Sequence, residues 1–208
     1  MILSSDHVDD RGVNAALALL VGWSFIGTGL FAWWRRPANR TGVLMVAAGF
    51  AWFAAQLSAS DSDLLYTIGI ALDGLFVAVV GHLLIAFPTG RLETLGERAL
   101  AIVGYVTVTV LQVPSLLFEE PDDPLNLLIV EANQDLSDLF DALQYLVAVG
   151  LALSVLTIMW RRPRRPELTP VLWTGGVAFV VYLVAKGFDA AGSPQRGLDW
   201  LSEALVAT

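Results

Sequence analysis

Leu64–Phe87 reads LLYTIGIALDGLFVAVVGHLLIAF, 24 residues containing one carboxylate, Asp73, and one imidazole, His82. A helix rises about 1.5 Å per residue and the hydrocarbon core of a bilayer is about 30 Å thick, so roughly 20 apolar residues cross it. The run is long enough to do so. It lacks the strict alternation of a barrel strand and is too long for one. Inside lipid each backbone polar group needs a partner within its own segment, so the run reads as a helix.

Working outward, the same reading gives spans at Asn14–Trp34, Thr41–Leu57, Ala99–Phe118, Leu139–Trp160 and Val171 to about Gly187. The expected fold is all-α: one polytopic transmembrane bundle with six full spans. From about Asp199 to Thr208 the chain reads either as the start of a seventh span cut short or as a short amphipathic tail. Composition agrees with the membrane class. The chain is 56% hydrophobic and 15% charged, where soluble domains are about 45–50% apolar and about 25% charged. There is no cysteine, which removes disulfides and thiolate sites, and the net charge of −8 argues against a nucleic-acid partner. Met1–Arg11 carries Asp6, Asp9 and Asp10 where a cleavable signal would be basic, so the first span is expected to remain as an anchor.

Charge placement sets an orientation. Nine of the twelve basic residues lie in three alternate loops, around Arg35–Arg40, Arg91–Arg98 and Arg161–Arg165. Ser58–Asp63 and Glu119–Asp138 carry none. The positive-inside rule puts the arginine loops in the cytoplasm and the N-terminus outside. Trp33, Trp34 and Trp160 abut the pairs Arg35–Arg36 and Arg161–Arg162, as interfacial anchors do. Acidity crowds the loop 119–138, with Glu119, Glu120, Asp122, Asp123, Glu131, Asp135 and Asp138. Such a cluster suits a hard cation, but the spacing matches no calcium loop, and a solvated outer loop explains it more simply. Leu125–Val130 within it is too short to span; it lies on the membrane surface or caps the bundle.

Ionisable residues at bilayer depth are costly and need partners. Asp73 and His82 are the ligand-sensing candidates. Nine residues apart, they lie about 180° round a continuous helix and share no face; hydrogen bonding between helices is the simpler role for each. Lys186 and Asp189, three apart, are expected to form a local ion pair. Small residues recur at four-residue spacing in Ala47, Ala51 and Ala55, and in Gly150 and Ser154, and suit close helix packing. No P-loop, dinucleotide turn, nucleophile elbow or zinc motif is present, and a chain with two histidines, His7 and His82, argues against a multi-histidine metal site. No catalytic residue and no metal ligand is assigned.

The stretch GWSFIGTGLFAWWRRPANRTGVLMVAAGFAWF (Gly22–Phe53), followed by HLLIAFPTGRLETLGERAL (His82–Leu100), resembles the N-terminal membrane region of actinobacterial two-component sensor histidine kinases. The specific part is a W-R-R-P-x-N-R-T-G-x-L-M loop paired with an A-F-P-x-G-R-L exit from the third span. RRPRRPELTPVLW (Arg161–Trp173) continues it more loosely. The resemblance implies a membrane sensor module that relays a stimulus through helix packing to a cytoplasmic kinase core absent from this chain. It implies a homodimer in the plasma membrane, a response regulator as partner of that core, and ATP and Mg²⁺ bound only there. His82, in the inner half of a span, and His7, on the far side, are not phospho-acceptor candidates. The alternative is a small transporter or channel, which calls for broken helices and polar groups converging near the midplane.

Overall fold

A computed structural model describes residues 11–161, 174–177 and 179–181. The helices are α1 (Arg11–Arg35), α2 (Thr41–Ala55), α3 (Asp63–Leu72), α4 (Leu75–Ala86), α5 (Leu95–Thr109), α6 (Val113–Phe118) and α7 (Gln134–Arg161), with a 3-10 turn at Gln56–Ala59. Residues 174–177 and 179–181 are also helical, and no strand occurs among the described residues. Five stretches are long and apolar enough to cross a membrane: Gly12–Arg35, Thr41–Ala59, Asp63–Ala86, Leu95–Phe118 and Gln134–Arg161. These are the first five spans expected from the sequence. The sixth, Val171–Gly187, is described only in part, and the start of the seventh from about Asp199 lies outside the described residues.

Two spans begin earlier than hydropathy indicates, and capping accounts for both. The fourth starts at Leu95 because Thr94 and Glu97 form a capping box. The Thr94 hydroxyl accepts from Glu97 N at 3.1 Å, and Glu97 Oε2 accepts from Thr94 N at 3.1 Å and Glu93 N at 2.7 Å. The carboxylate thereby satisfies amides that the first turn leaves unpaired. The fifth starts at Gln134, where Asn133 Oδ1 accepts from Leu136 N at 3.2 Å. Polar residues of this first turn precede the apolar run.

α1 and α2 pack backbone against backbone. A Cβ on Gly29 would lie 2.8 Å from the Gly42 carbonyl, and one on Gly49 would lie 2.8 Å from the Gly22 carbonyl. This glycine seam replaces the alanine row as the packing device: Ala51 and Ala55 are buried, but Ala47 faces outward. Gly150 and Ser154 are also exposed, with Ser154 Oγ turned back onto the Gly150 carbonyl at 2.8 Å. The main core lies between α1, α2 and α4 and contains Val21, Ala48, Ala51, Trp52, Phe76 and Val79. Trp52 Nε1 donates to the Ala18 carbonyl at 2.9 Å, and its ring meets Phe76 edge-on at 5.0 Å. Burying indole requires such an acceptor.

Two of the spans are interrupted. The third breaks at Asp73–Gly74, between α3 and α4, and the fourth at Val110–Gln112, between α5 and α6. Pro114 explains the second break. It has no N–H for the Val110 carbonyl, and it occupies the first turn of α6, where none is needed. At the first break Gly74 lies against α5, where a Cβ would be 2.7 Å from Val108 Cβ.

Candidate functional site

The third span carries polar contacts along its whole length. At the acidic-loop end, Asp63 Oδ1 accepts from Leu125 N at 2.9 Å, and Thr67 Oγ1 accepts from Leu127 N at 2.9 Å. Thr67 Oγ1 in turn donates to the Asp63 carbonyl at 2.6 Å. Buried Asn126 completes the attachment. Its Nδ2 donates to the Leu116 carbonyl at 2.9 Å and to Glu119 Oε2 at 2.8 Å, while its Oδ1 accepts from Leu128 N at 2.9 Å. Val130 N then returns to the Leu117 carbonyl at 2.9 Å. Of the two placements expected for Leu125–Val130, the loop therefore caps the bundle. Glu119 is half-buried beneath it. Burial pushes its carboxyl above the usual range; the Asn126 hydrogen bond opposes that, and the charges of Asp141 and Asp122 add to it.

One to two turns deeper, the two breaks meet. Opening the helix at Asp73–Gly74 frees the Ile70 carbonyl from an ordinary helical bond, leaving a long 3.4 Å contact from Asp73 N. Gln112, in the break of the fourth span, supplies the missing donor: its Nε2 reaches the Ile70 carbonyl at 2.7 Å. Its Oε1 is buried and has no hydrogen-bond partner among the described residues. Asp73 sits at this break, where its backbone (φ −55°, ψ −43°) and that of Gly74 (φ −71°, ψ −13°) remain right-handed helical.

His82 lies on α4. Its Nδ1 and the Tyr105 hydroxyl of α5 are 3.2 Å apart and hydrogen-bonded, with the rings edge-to-face at 6.0 Å. His82 also borders a cavity of about 50 Å³ between α4, α5 and α7, whose walls include Val77, Ile85, Gly104, Ala152 and Phe179. The walls are almost wholly apolar, and the Thr107 hydroxyl is turned onto the Val103 carbonyl at 2.8 Å.

At the arginine end the two motif-bearing loops dock on each other. Asn39 Nδ2 and Thr41 Oγ1 both donate to the Pro88 carbonyl, at 2.8 and 2.9 Å, and Arg40 N donates to the Thr89 carbonyl at 3.2 Å. Gly90 has φ +70° and lies so close to the backbone of Arg40 and Thr41 that a Cβ would overlap it. Only glycine meets both conditions. The W-R-R-P-x-N-R-T-G and A-F-P-x-G-R-L motifs thus form one clamp.

His82 meets the fourth span through Tyr105, and the Asp73–Gly74 break meets it through Gln112 on the Ile70 carbonyl and Gly74 against Val108. Trp33, Trp34 and Trp160 are exposed beside exposed Arg35, Arg36 and Arg161, and the Arg35 guanidinium lies over the Phe31 ring at 5.3 Å. Arg162, Lys186 and Asp189 lie outside the described residues. Sequence reasoning missed Gln112, Tyr105, Asn126, and the roles of Asn39, Thr41 and Gly90. Pro114, two residues after Gln112, was the available signal for the first. Among the described residues no group of three or more His, Cys, Asp or Glu side chains is placed to hold a metal. No family model, curated protein or solved structure matches the chain.

Proposed function

We propose that the chain is the membrane sensor module of a two-component histidine kinase, with its N-terminus outside and its arginine loops in the cytoplasm. The observation that carries this reading is the third span, tied to the acidic cap at one end and the arginine clamp at the other, and segmented between. In this reading a stimulus that displaces the cap is passed along the third span to the clamp as a change in helix packing. The output is a cytoplasmic core outside these 208 residues. Acting as a homodimer, that core would transfer the γ-phosphoryl of Mg-ATP to its own histidine, release ADP, and pass the phosphoryl group to a response regulator. The test is to reconstitute the product of the whole reading frame in vesicles and follow labelled phosphate from ATP. Labelling of a histidine outside this membrane region is expected, and no incorporation refutes the reading.

The second reading, a small transporter or channel, gains from the paired breaks, since interrupted helices with a buried polar link are what such a pathway needs. Solute-specific flux by this chain alone in proteoliposomes would favour it over the sensor.

A further inference from the structure

The two docked loops and the first turn of α5 carry four arginines at one end of the bundle. The Arg36 carbonyl accepts from Asn39 N at 2.9 Å, and Arg40 N donates to the Thr89 carbonyl at 3.2 Å. Arg91 N donates to Thr89 Oγ1 at 3.3 Å, and Arg98 Nε donates to the Leu92 carbonyl at 3.3 Å. All four side chains are exposed. The seat of Gly90 against Arg40 and Thr41 prevents the two loops from sliding. Of the acidic residues in the same loop, Glu97 is buried and accepts from two amides, and Glu93 is exposed. Trp34, 78% exposed, and Leu95, 82% exposed, flank the platform. An aromatic and an aliphatic side chain facing outward beside arginines mark the depth where acyl chains give way to headgroups.

We propose that this platform is a binding surface for the headgroups of anionic phospholipids. The inference rests on the membrane reading of the apolar helices. Guanidinium groups bind phosphate oxygens in paired hydrogen bonds, and several held in fixed positions favour a net-negative headgroup over a zwitterionic one. Each arginine near an anionic surface contributes about a fivefold gain in affinity. The clamp joins two arginine-bearing loops through bonded residues 49 positions apart.

The test counts lipids retained by the purified chain in native mass spectrometry after exposure to phosphatidylglycerol or phosphatidylcholine. Phosphatidylglycerol is expected to be retained preferentially. The double variant Arg36→Gln, Arg91→Gln should lower its affinity about 25-fold without altering phosphatidylcholine. Both side chains lie outside the bonds of the clamp, which use their backbone atoms. Arg36→Lys with Arg91→Lys should keep most of the affinity. Equal retention of the two lipids, or a double variant that binds phosphatidylglycerol like the parent, overturns the proposal. So does full displacement by millimolar inorganic phosphate, which would make this a free-phosphate site. Flotation of parent and variant with phosphatidylcholine vesicles is read separately: failure to float overturns the membrane reading itself.

Discussion

Gly27 and Gly29 lie two residues apart in α1, and replacing each by alanine is expected to shift stability in opposite directions. A Cβ on Gly27 meets nothing within 4 Å. Alanine there restricts the unfolded chain and improves helix propensity, a gain of about 0.5–1 kcal/mol. A Cβ on Gly29 would approach the Gly42 carbonyl and Val46 N, both at 2.8 Å, and these are backbone atoms that cannot rotate away. Reaching an ordinary 3.4 Å contact requires α1 and α2 to separate by about 0.6 Å. That gap forfeits part of the dispersion energy along the seam. It also stretches the 2.9 Å bond from Trp52 Nε1 to Ala18 toward about 3.5 Å, where little of its roughly 1 kcal/mol remains. After the propensity gain, Gly29→Ala should lose about 1–3 kcal/mol. At about 2–4 °C per kcal/mol for a chain of this size, the difference between the two variants is several degrees. The assay is the fraction remaining monodisperse on gel filtration after heating in one detergent. Gly29→Ala melting at or above the parent would refute the seam, as would both variants moving the same way.

Three further outcomes test the polar track. Asn39→Ala and Thr41→Val should each cost about 1 kcal/mol or less in thermal stability and exceed additivity together, because either donor alone keeps the Pro88 carbonyl paired and only the double variant strips it; strict additivity would separate them. Glu119, its carboxyl held above the usual range by burial, is bound to more protons in the native chain than in the unfolded one between its ordinary value near 4.5 and its raised one. Its contribution is therefore fully present below that ordinary value and is lost as pH rises through the raised one. Melting scans from pH 4 to 8 should show this decline, and Glu119→Gln should flatten it; an unchanged profile would remove Glu119 from the cap. Gln112→Leu should stay within about 1 kcal/mol of the parent, since it removes an unpartnered buried oxygen along with the bond to Ile70. Gln112→Glu, which discards the donor and keeps the acceptors, should lose more than about 2 kcal/mol in the same melt.

The first five spans were legible because lipid-crossing length and apolar composition are properties of a segment, readable without its neighbours. The breaks were not, because hydropathy averages across them: Asp73–Gly74 and Val110–Gln112 are flanked by leucine, isoleucine and valine that keep any window apolar. Local chemistry held part of the answer. Pro114 forbids a bond to Val110, and Thr94 with Glu97 has the spacing of a capping box, which places the start of α5 at Leu95 rather than Ala99. Asp73 and His82 stood out as ionisable residues within an apolar run. The Tyr105 partner of His82 and the Gln112 donor to Ile70 beside the Asp73 break come from a neighbouring span, and pairing across spans leaves no mark on sequence spacing. The same holds for the cap: Asp63 and Leu125 are 62 positions apart.

The two fastenings of the third span also stand in a definite order in time. Its clamp draws on Asn39 and Thr41, which precede it in the chain, whereas its cap draws on Leu125 and Leu127, which follow it. A ribosome making the protein from its N-terminus therefore completes every partner for the arginine end when residue 90 emerges, and the acidic end must wait for nearly forty residues more. Between those moments α3 rests on α2 and on the Gln56–Ala59 turn, where Gly69 lies against the Ser58 backbone, while its acidic end still lacks the cap.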